Sequence, residues 1–341
     1  MHKKVGVAFS GGIDSLTSCS LLKSSGYEVI AFHALLATDT VPDSVIQGAD
    51  LADVPLEIID LHTEFRNTVI KSFRSEILKG RTPNPCAFCN REIKFGLLFD
   101  AIKSRGMDFM ATGHYAQINE ELHITRGLDR KKDQSYFLWR VNPQVRDQIL
   151  FPMGTKNREF AVATAQSMGF KFKPSGSQDI CFATGSYEDL LAELEIHGEE
   201  GNIISPDGTV LGRHHGLEHY TTGQRKGIGI AAKEPLYVIG KDLNSNVLIV
   251  GPQSYLEAKM IYGVEAVWAQ NKPVSGHYMV SVRYRTPPYP AEVIALPNGK
   301  VQIIFKESVS AVPPGQAAVF YLGDTVVGGA WIDEVFSHEN V

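Results

Sequence analysis

Val5-Gly-Val-Ala-Phe9 followed by Ser10-Gly-Gly-Ile-Asp-Ser15 decides the fold. The first run is apolar throughout, as in a strand buried on both faces. The chain then turns through two glycines and continues with Leu16, Cys19 and Leu22 at helical spacing. Such a strand-to-helix turn builds an anion site. The backbone can approach closely, its N–H groups form a concave nest, and the helix end adds positive potential. The loop lacks the Gly-Lys-Ser/Thr ending of a Walker loop and the Gly-x-Gly-x-x-Gly of a dinucleotide fold, which argues against GTPase-like and nicotinamide chemistry. Read without function, the same residues are a glycine-containing helix start with Ser10 or Asp14 as its cap.

Working outward, EVIAFH (28–33), LEIID (56–60) and DFMATGH (108–114) read as further buried parallel strands. Phe65, Val69, Phe73 and Ile77 repeat every four residues, and Ile93, Leu97, Leu98 and Ile102 share one face of 91–104, so both stretches are amphipathic helices. Strands separated by helices imply a parallel sheet whose ligands sit at the strands' carboxyl ends, just after Phe9, Phe32 and Thr112. Helices are expected at 158–170 and 187–196, with a Gly- and Ser-rich loop, 173–186, between them. From Asn202 onward, short strands and turns suggest small barrels. The fold class is therefore α/β: a Rossmann-like parallel-sheet domain (1–200), a central small β domain (201–256) and a C-terminal β-barrel domain (257–341).

Composition bounds the function. The chain has 341 residues, 43% of them hydrophobic, enough to bury a core, which excludes a disordered chain. No apolar run reaches the roughly 18 residues of a membrane span, so a protein of the reducing cytoplasm, away from membranes, is expected. Lys and Arg number 33 against 38 Asp and Glu, a net charge of −5, which argues against indiscriminate coating of nucleic acid. Cations still cluster locally, at Arg126, Arg130, Lys131 and Lys132, and at Arg283 with Arg285. Four cysteines are too few and too unevenly spaced for a disulfide scaffold, and Cys86-x-x-Cys89 reads as metal or redox chemistry. Cys19 lies in an apolar helix stripe and is expected in the core, as are Trp139, Trp268 and Trp331.

Ser10–Ser15 resembles the pyrophosphatase (PP) loop of enzymes that split ATP into AMP and pyrophosphate to adenylate an oxygen. Within that group the following motifs are similar, in order, to the bacterial tRNA 2-thiouridylases (the MnmA family): GRTPNP…CNREIKFG (80–96), ATGHYA (111–116), LD..KDQSYFL (128–138), SQDICF (178–183), YTTGQRKGIGI (220–230), RYR (283–285) and PPGQAAVFY (313–321). The resemblance implies an ATP-dependent enzyme that replaces the C2 oxygen of the wobble uridine with sulfur, with magnesium assisting the phosphates. It places ATP against Ala8, Phe9, Ser10, Gly11, Gly12, Ile13, Asp14 and Ser15, and against Ala34 and Gly113. Asp14 then organises magnesium or the loop. The resemblance also implies that Cys181 carries a persulfide from a sulfur donor protein and that Cys89 attacks it. Cys89 is expected just ahead of the helix 91–104, where the helix dipole, Arg91 and Lys94 favour its thiolate.

The family's better-known members carry Asp where this chain has Cys86. A third thiol opens other routes. Cys86, Cys89 and Cys181 could ligate a [4Fe-4S] cluster that binds free sulfide; they could hold zinc with His114 as fourth ligand; or Cys86 and Cys89 could form a redox pair. The segment between Phe32 and Val54 is also shorter than the family's usual acidic and aromatic insertion. For tRNA, the resemblance assigns Asn84, Pro85, Cys86, His114, Lys132, Asp133, Gln134, Arg283, Tyr284 and Gln316, with the target base splayed into the pocket. The rival readings are another adenylating PP-loop enzyme with a different substrate, and a non-catalytic RNA-binding metalloprotein.

Overall fold

The computed structural model describes residues 2–172, 180–183 and 185–337. Its first unit is a five-stranded parallel sheet. We label four of its strands β1 (Lys4–Ala8), β2 (Glu28–Leu35), β3 (Leu56–Asp60) and β4 (Phe109–Thr112); the fifth is Ile149–Leu150. Their order is β3-β2-β1-β4 and then 149–150. Val5 and Val7 of β1 are fully buried because the strand has neighbours on both sides and helices on both faces. A Cβ on Gly6 would lie 2.4 Å from Ile102, so the glycine admits the helix that covers this face. The order reverses between β1 and β4, and the crevice beyond their carboxyl ends is where such sheets bind ligands.

The helix α1 (Ile13–Ser24) follows β1 and buries Leu16, Cys19 and Leu22. Burial pushes the Cys19 thiol up to about 12, as fits a core residue. A second helix, α2 (Asp43–Ala52), occupies the short segment after β2. Its Val45, Ala49 and Ala52 are buried, and Lys23 Nζ closes its end by donating to the carbonyls of Ala52 and Asp53. Two longer helices cover the sheet at 62–78 and 85–104, each with a π-helical middle, Arg66–Ile70 and Asn90–Leu98.

The C-terminal unit is a barrel. Six strands from Glu257–Trp268 to Thr325–Ser337 pair antiparallel, and the last returns to pair with the first. Val280, Val293, Ile303, Phe305 and Phe320 fill its interior. The hairpin Ala116–Ile118 and Ile124–Arg126 belongs to the N-terminal stretch of sequence, yet it joins the barrel's sheet through Thr125 opposite Thr325. The central unit contains a four-stranded sheet between residues 201 and 251, in the order 237–242, 247–251, 201–204 and 210–214. Trp139 and Trp268 are buried, and Trp331 packs edge-on against Trp139 with ring centroids 5.2 Å apart, joining the first unit to the barrel. Among the described residues no helix is long and apolar enough to cross a membrane.

A candidate active site at the carboxyl ends of the central strands

The loop Ser10–Ser15 leaves β1 at the crevice. Gly11 has φ +74°, and a Cβ there would meet Val45 at 2.7 Å, so conformation and packing against α2 both require glycine. Gly12 is the N-cap of α1 and no side chain caps the helix, so neither Ser10 nor Asp14 fills that role. The open N–H groups at the helix start are left for an anion. Ser15 Oγ donates to the Gly12 carbonyl at 2.9 Å and lies 3.3 Å from Ser10 Oγ, bracing the loop from within. Across the crevice, β4 ends at Thr112 and Gly113 lies directly on Asp14 and Ser15. Phe9 and Ala8 are fixed by the sheet, and Ala34 is near the end of β2, opposite Ile59.

Asp14 points at two residues that the sequence reading passed over. Its Oδ1 accepts the Tyr115 hydroxyl at 2.7 Å, and both carboxylate oxygens accept from Arg158 Nη1, at 2.7 and 2.8 Å. Burial, and then the Asp14 charge, push the Tyr115 hydroxyl far above its ordinary range. No local pattern marks this group, because its members are written at positions 14, 115 and 158 and meet only through the sheet's crossovers.

The thiols gather beside the same crevice. Cys86 and Cys89 both lie in the helical segment Pro85–Cys89, whose N-cap is Asn84; its Oδ1 accepts from the Ala87 N–H at 3.2 Å. Pro85 at the first position needs no N–H partner and presets the helix. The helix therefore starts about one and a half turns earlier than periodicity suggests, and Cys89 sits inside it rather than ahead of it. This corrects the expected thiolate. Cys89 is buried, and burial pushes its thiol up to about 12, with Lys94 opposing and the charges of Cys181 and Cys86 adding. Cys86 is half-buried and its thiol is raised for the same reasons. Arg91 turns away to Glu92, at 3.3 Å, while Lys94 faces the thiols through the π-helical turn, which brings residues five apart onto one side.

Cys181 is exposed, and close enough to Cys86 and Cys89 for its charge to raise both. The next residue anchors it: Phe182 is buried edge-on against Phe65 and Phe73, with centroids at 5.7 and 5.3 Å. His114 follows Gly113 and links the thiols to the loop. It is buried between Phe95 and Phe151, its Nδ1 is 2.7 Å from Thr112 Oγ1, and burial followed by the Lys94 charge lowers it well below the ordinary range. It is a neutral imidazole at pH 7. Among the described residues no three His, Cys, Asp or Glu side chains are grouped so as to hold a metal ion.

Exposure and thiol acidity predict an ordered reactivity. At pH 8 iodoacetamide alkylates the folded chain once, at Cys181, while Cys19, Cys86 and Cys89 stay protonated or covered. Four adducts form after denaturation, and peptide mass spectrometry reads the sites. Equal labelling of Cys89 and Cys181 in the folded chain would contradict this placement.

Of the residues assigned to tRNA, several are engaged within the protein. Asp133 accepts from Gly127, Ser135 and the Ser135 hydroxyl, and Gln134 Oε1 accepts from the Tyr115 N–H. Gln316 Nε2 donates to the carbonyls of Thr82 and Pro83, holding the approach to Asn84. Arg283 Nη2 donates to the Thr222 carbonyl at 2.9 Å, tying the barrel to the central unit. Lys132 is half-exposed in the turn that starts at Asp129. Tyr284 packs on Phe137 at 4.5 Å and is near enough to Cys86 to sense its charge, so an aromatic wall borders the thiols.

A parallel α/β sheet with a glycine loop at its switch point and thiols across the crevice defines a nucleotide-using enzyme fold of the PP-loop class. Family models match along the chain as a tRNA methyl transferase HUP domain (residues 3–185), a tRNA methyl transferase PRC-barrel domain (188–252) and an aminomethyltransferase beta-barrel domain (258–332). A tRNA-specific 2-thiouridylase MnmA of Geotalea uraniireducens is 37% identical, covering 97% of this chain and 95% of that protein. Its counterpart in Thermotoga petrophila is 39% identical, covering 97% and 99%. The chain belongs to the tRNA-specific 2-thiouridylase family.

Proposed function

We propose that this chain is an ATP-dependent tRNA sulfurtransferase that replaces the C2 oxygen of the wobble uridine with sulfur by a persulfide relay. The observation that carries this reading is the gathering of Cys86, Cys89 and Cys181 within charge range of one another. Lys94 and His114 connect that cluster to the glycine loop. The uracil O2 attacks the α-phosphorus of ATP held at Ala8–Ser15, Ala34 and Gly113, pyrophosphate leaves, and the N3 proton is lost. C2 then carries AMP as a leaving group. Magnesium would neutralise the phosphates, drawing most of its ligands from the nucleotide and water.

The sulfur arrives as a persulfide on exposed Cys181, from a donor protein. Cys89 Sγ attacks the inner sulfur as its thiol proton passes to the departing outer sulfur, which leaves as hydrogen sulfide, in equilibrium with hydrosulfide, and a Cys89–Cys181 disulfide remains. Hydrosulfide adds to C2, the C–O bond breaks, and AMP departs. A thiol reductant returns two electrons to the disulfide before the next turnover, and Cys86, one helical turn from Cys89, is placed to exchange with it. Burial keeps resting Cys89 protonated, which protects it from oxidants until persulfide is present. For tRNA, Lys132 and Arg283 supply charge, Tyr284 supplies a face for the base, and Asn84, Pro85, Cys86 and His114 line its approach. Asp133, Gln134 and Gln316 shape the walls.

The test uses protein prepared without oxygen, unmodified tRNA, ATP, magnesium and a persulfide donor. Pyrophosphate release that requires tRNA, 2-thiouridine in the nuclease digest, and iron well below one atom per chain are expected. Release that ignores tRNA would remove the function. Thiouridine formed only with stoichiometric iron and labile sulfide would replace the relay with a cluster.

A further inference from the structure

The ion pair between Asp14 and Arg158 joins two helix starts. Thr17 Oγ1 donates to the Ala161 carbonyl at 3.4 Å, so residues three further along each chain meet again. The helices Ile13–Ser24 and Arg158–Ser167 thus run side by side with their N-termini together. Buried Thr17, Ser18, Ala161 and Ala165 allow the close approach. Both N-termini place partial positive charge at the mouth of the glycine loop. Arg158 adds a full charge there, and two carboxylates stand against them: Asp14, on the Arg158 side chain, and Asp129, which accepts the Arg158 backbone N–H.

The pairing is also incomplete. Both contacts to Asp14 come from Nη1, so the two-nitrogen fork that matches a carboxylate or phosphate is not used on Asp14. The side chain remains 34% exposed. Its backbone is fixed from the other direction, because the Arg158 N–H donates to Asp129 and Asn157 caps the helix. A cation is therefore held rigidly at the rim of an anion nest with its bidentate edge off its partner.

We propose that Arg158 is a polyphosphate-binding residue: Nη1 stays on Asp14 while the Nε–Nη2 edge takes the β- or γ-phosphate of ATP. Asp14 and Tyr115 are its positioning residues. The inference deepens the ATP reading above and rests on it.

Equilibrium binding of MgATP and of AMP to the full chain tests it, using Arg158→Met and Arg158→Lys. Loss of a charged bidentate contact weakens ATP binding by about 10- to 100-fold in Arg158→Met. AMP, which lacks the outer phosphates, changes less than about threefold and reports that the variant is folded. Arg158→Lys can neutralise Asp14 or reach phosphate but cannot fork, so it stays about fivefold or more weaker for ATP. Wild-type ATP affinity in Arg158→Lys would reduce Arg158 to a counter-charge for Asp14 and overturn the proposal. Equal losses for ATP and AMP in that variant, which keeps the ion pair, would also overturn it. A wild-type chain that binds neither nucleotide would instead remove the ATP reading itself, and this inference with it.

Discussion

Cys181→Ala retains tRNA-dependent pyrophosphate release and loses 2-thiouridine formation by more than about a thousandfold, as removal of an obligatory nucleophile does. The split follows from the geometry. Cys181 is exposed beside Cys86 and Cys89, and the adenylation step proposed above uses the glycine loop and not these thiols. Cys89→Ala gives the same pattern, and the two single losses do not add in the double variant because both residues serve one transfer. Assaying pyrophosphate and thiouridine in the same reaction decides the matter. Parallel loss of both products in Cys181→Ala would show that the cysteine acts before the nucleotide step, and the relay would fail.

Gly113→Ala is the second large effect. A Cβ at this position would lie 2.9 Å from the carbonyl carbon of Asp14 and 3.0 Å from the Ser15 nitrogen. Both are backbone atoms of the loop and its helix, so the clash cannot be relieved by rotating a side chain. Either β4 or the loop must move. Displacing a reacting group by about 1 Å costs on the order of a hundredfold in rate, and overpacking costs about 1–3 kcal/mol of stability. kcat/KM for ATP in pyrophosphate release should fall by that factor, with a melt that still shows one cooperative transition. Unchanged ATP kinetics would mean that the nucleotide does not use this loop.

Much of the site is legible along the chain because its parts are local. A strand, two glycines and a helix stripe announce the anion nest between Val5 and Leu22. Pro85, Cys86 and Cys89 are neighbours in sequence, so their grouping needs no fold to reveal it. The helix around them is harder to read. Its π-helical middle, Asn90–Leu98, shifts the repeat away from 3.6, so apolar spacing marks its second half and hides its start at Asn84. The thiolate expectation fails at the same place. Spacing shows which residues flank Cys89, but burial dominates its acidity, and burial depends on what the rest of the chain packs around it.

The sequence by itself determined the parallel sheet, the glycine loop after its first strand and the pairing of Cys86 with Cys89, since each is written in a short stretch whose physics is nearest-neighbour. Only the tertiary structure decided what surrounds them. Arg158 and Tyr115 on Asp14, Phe182 packed on Phe65 and Phe73 beside Cys181, and a barrel glutamine holding Thr82 join residues 101 to 234 positions apart. Such contacts arise from crossover topology and burial, and no periodicity in the chain encodes which distant side chain will arrive.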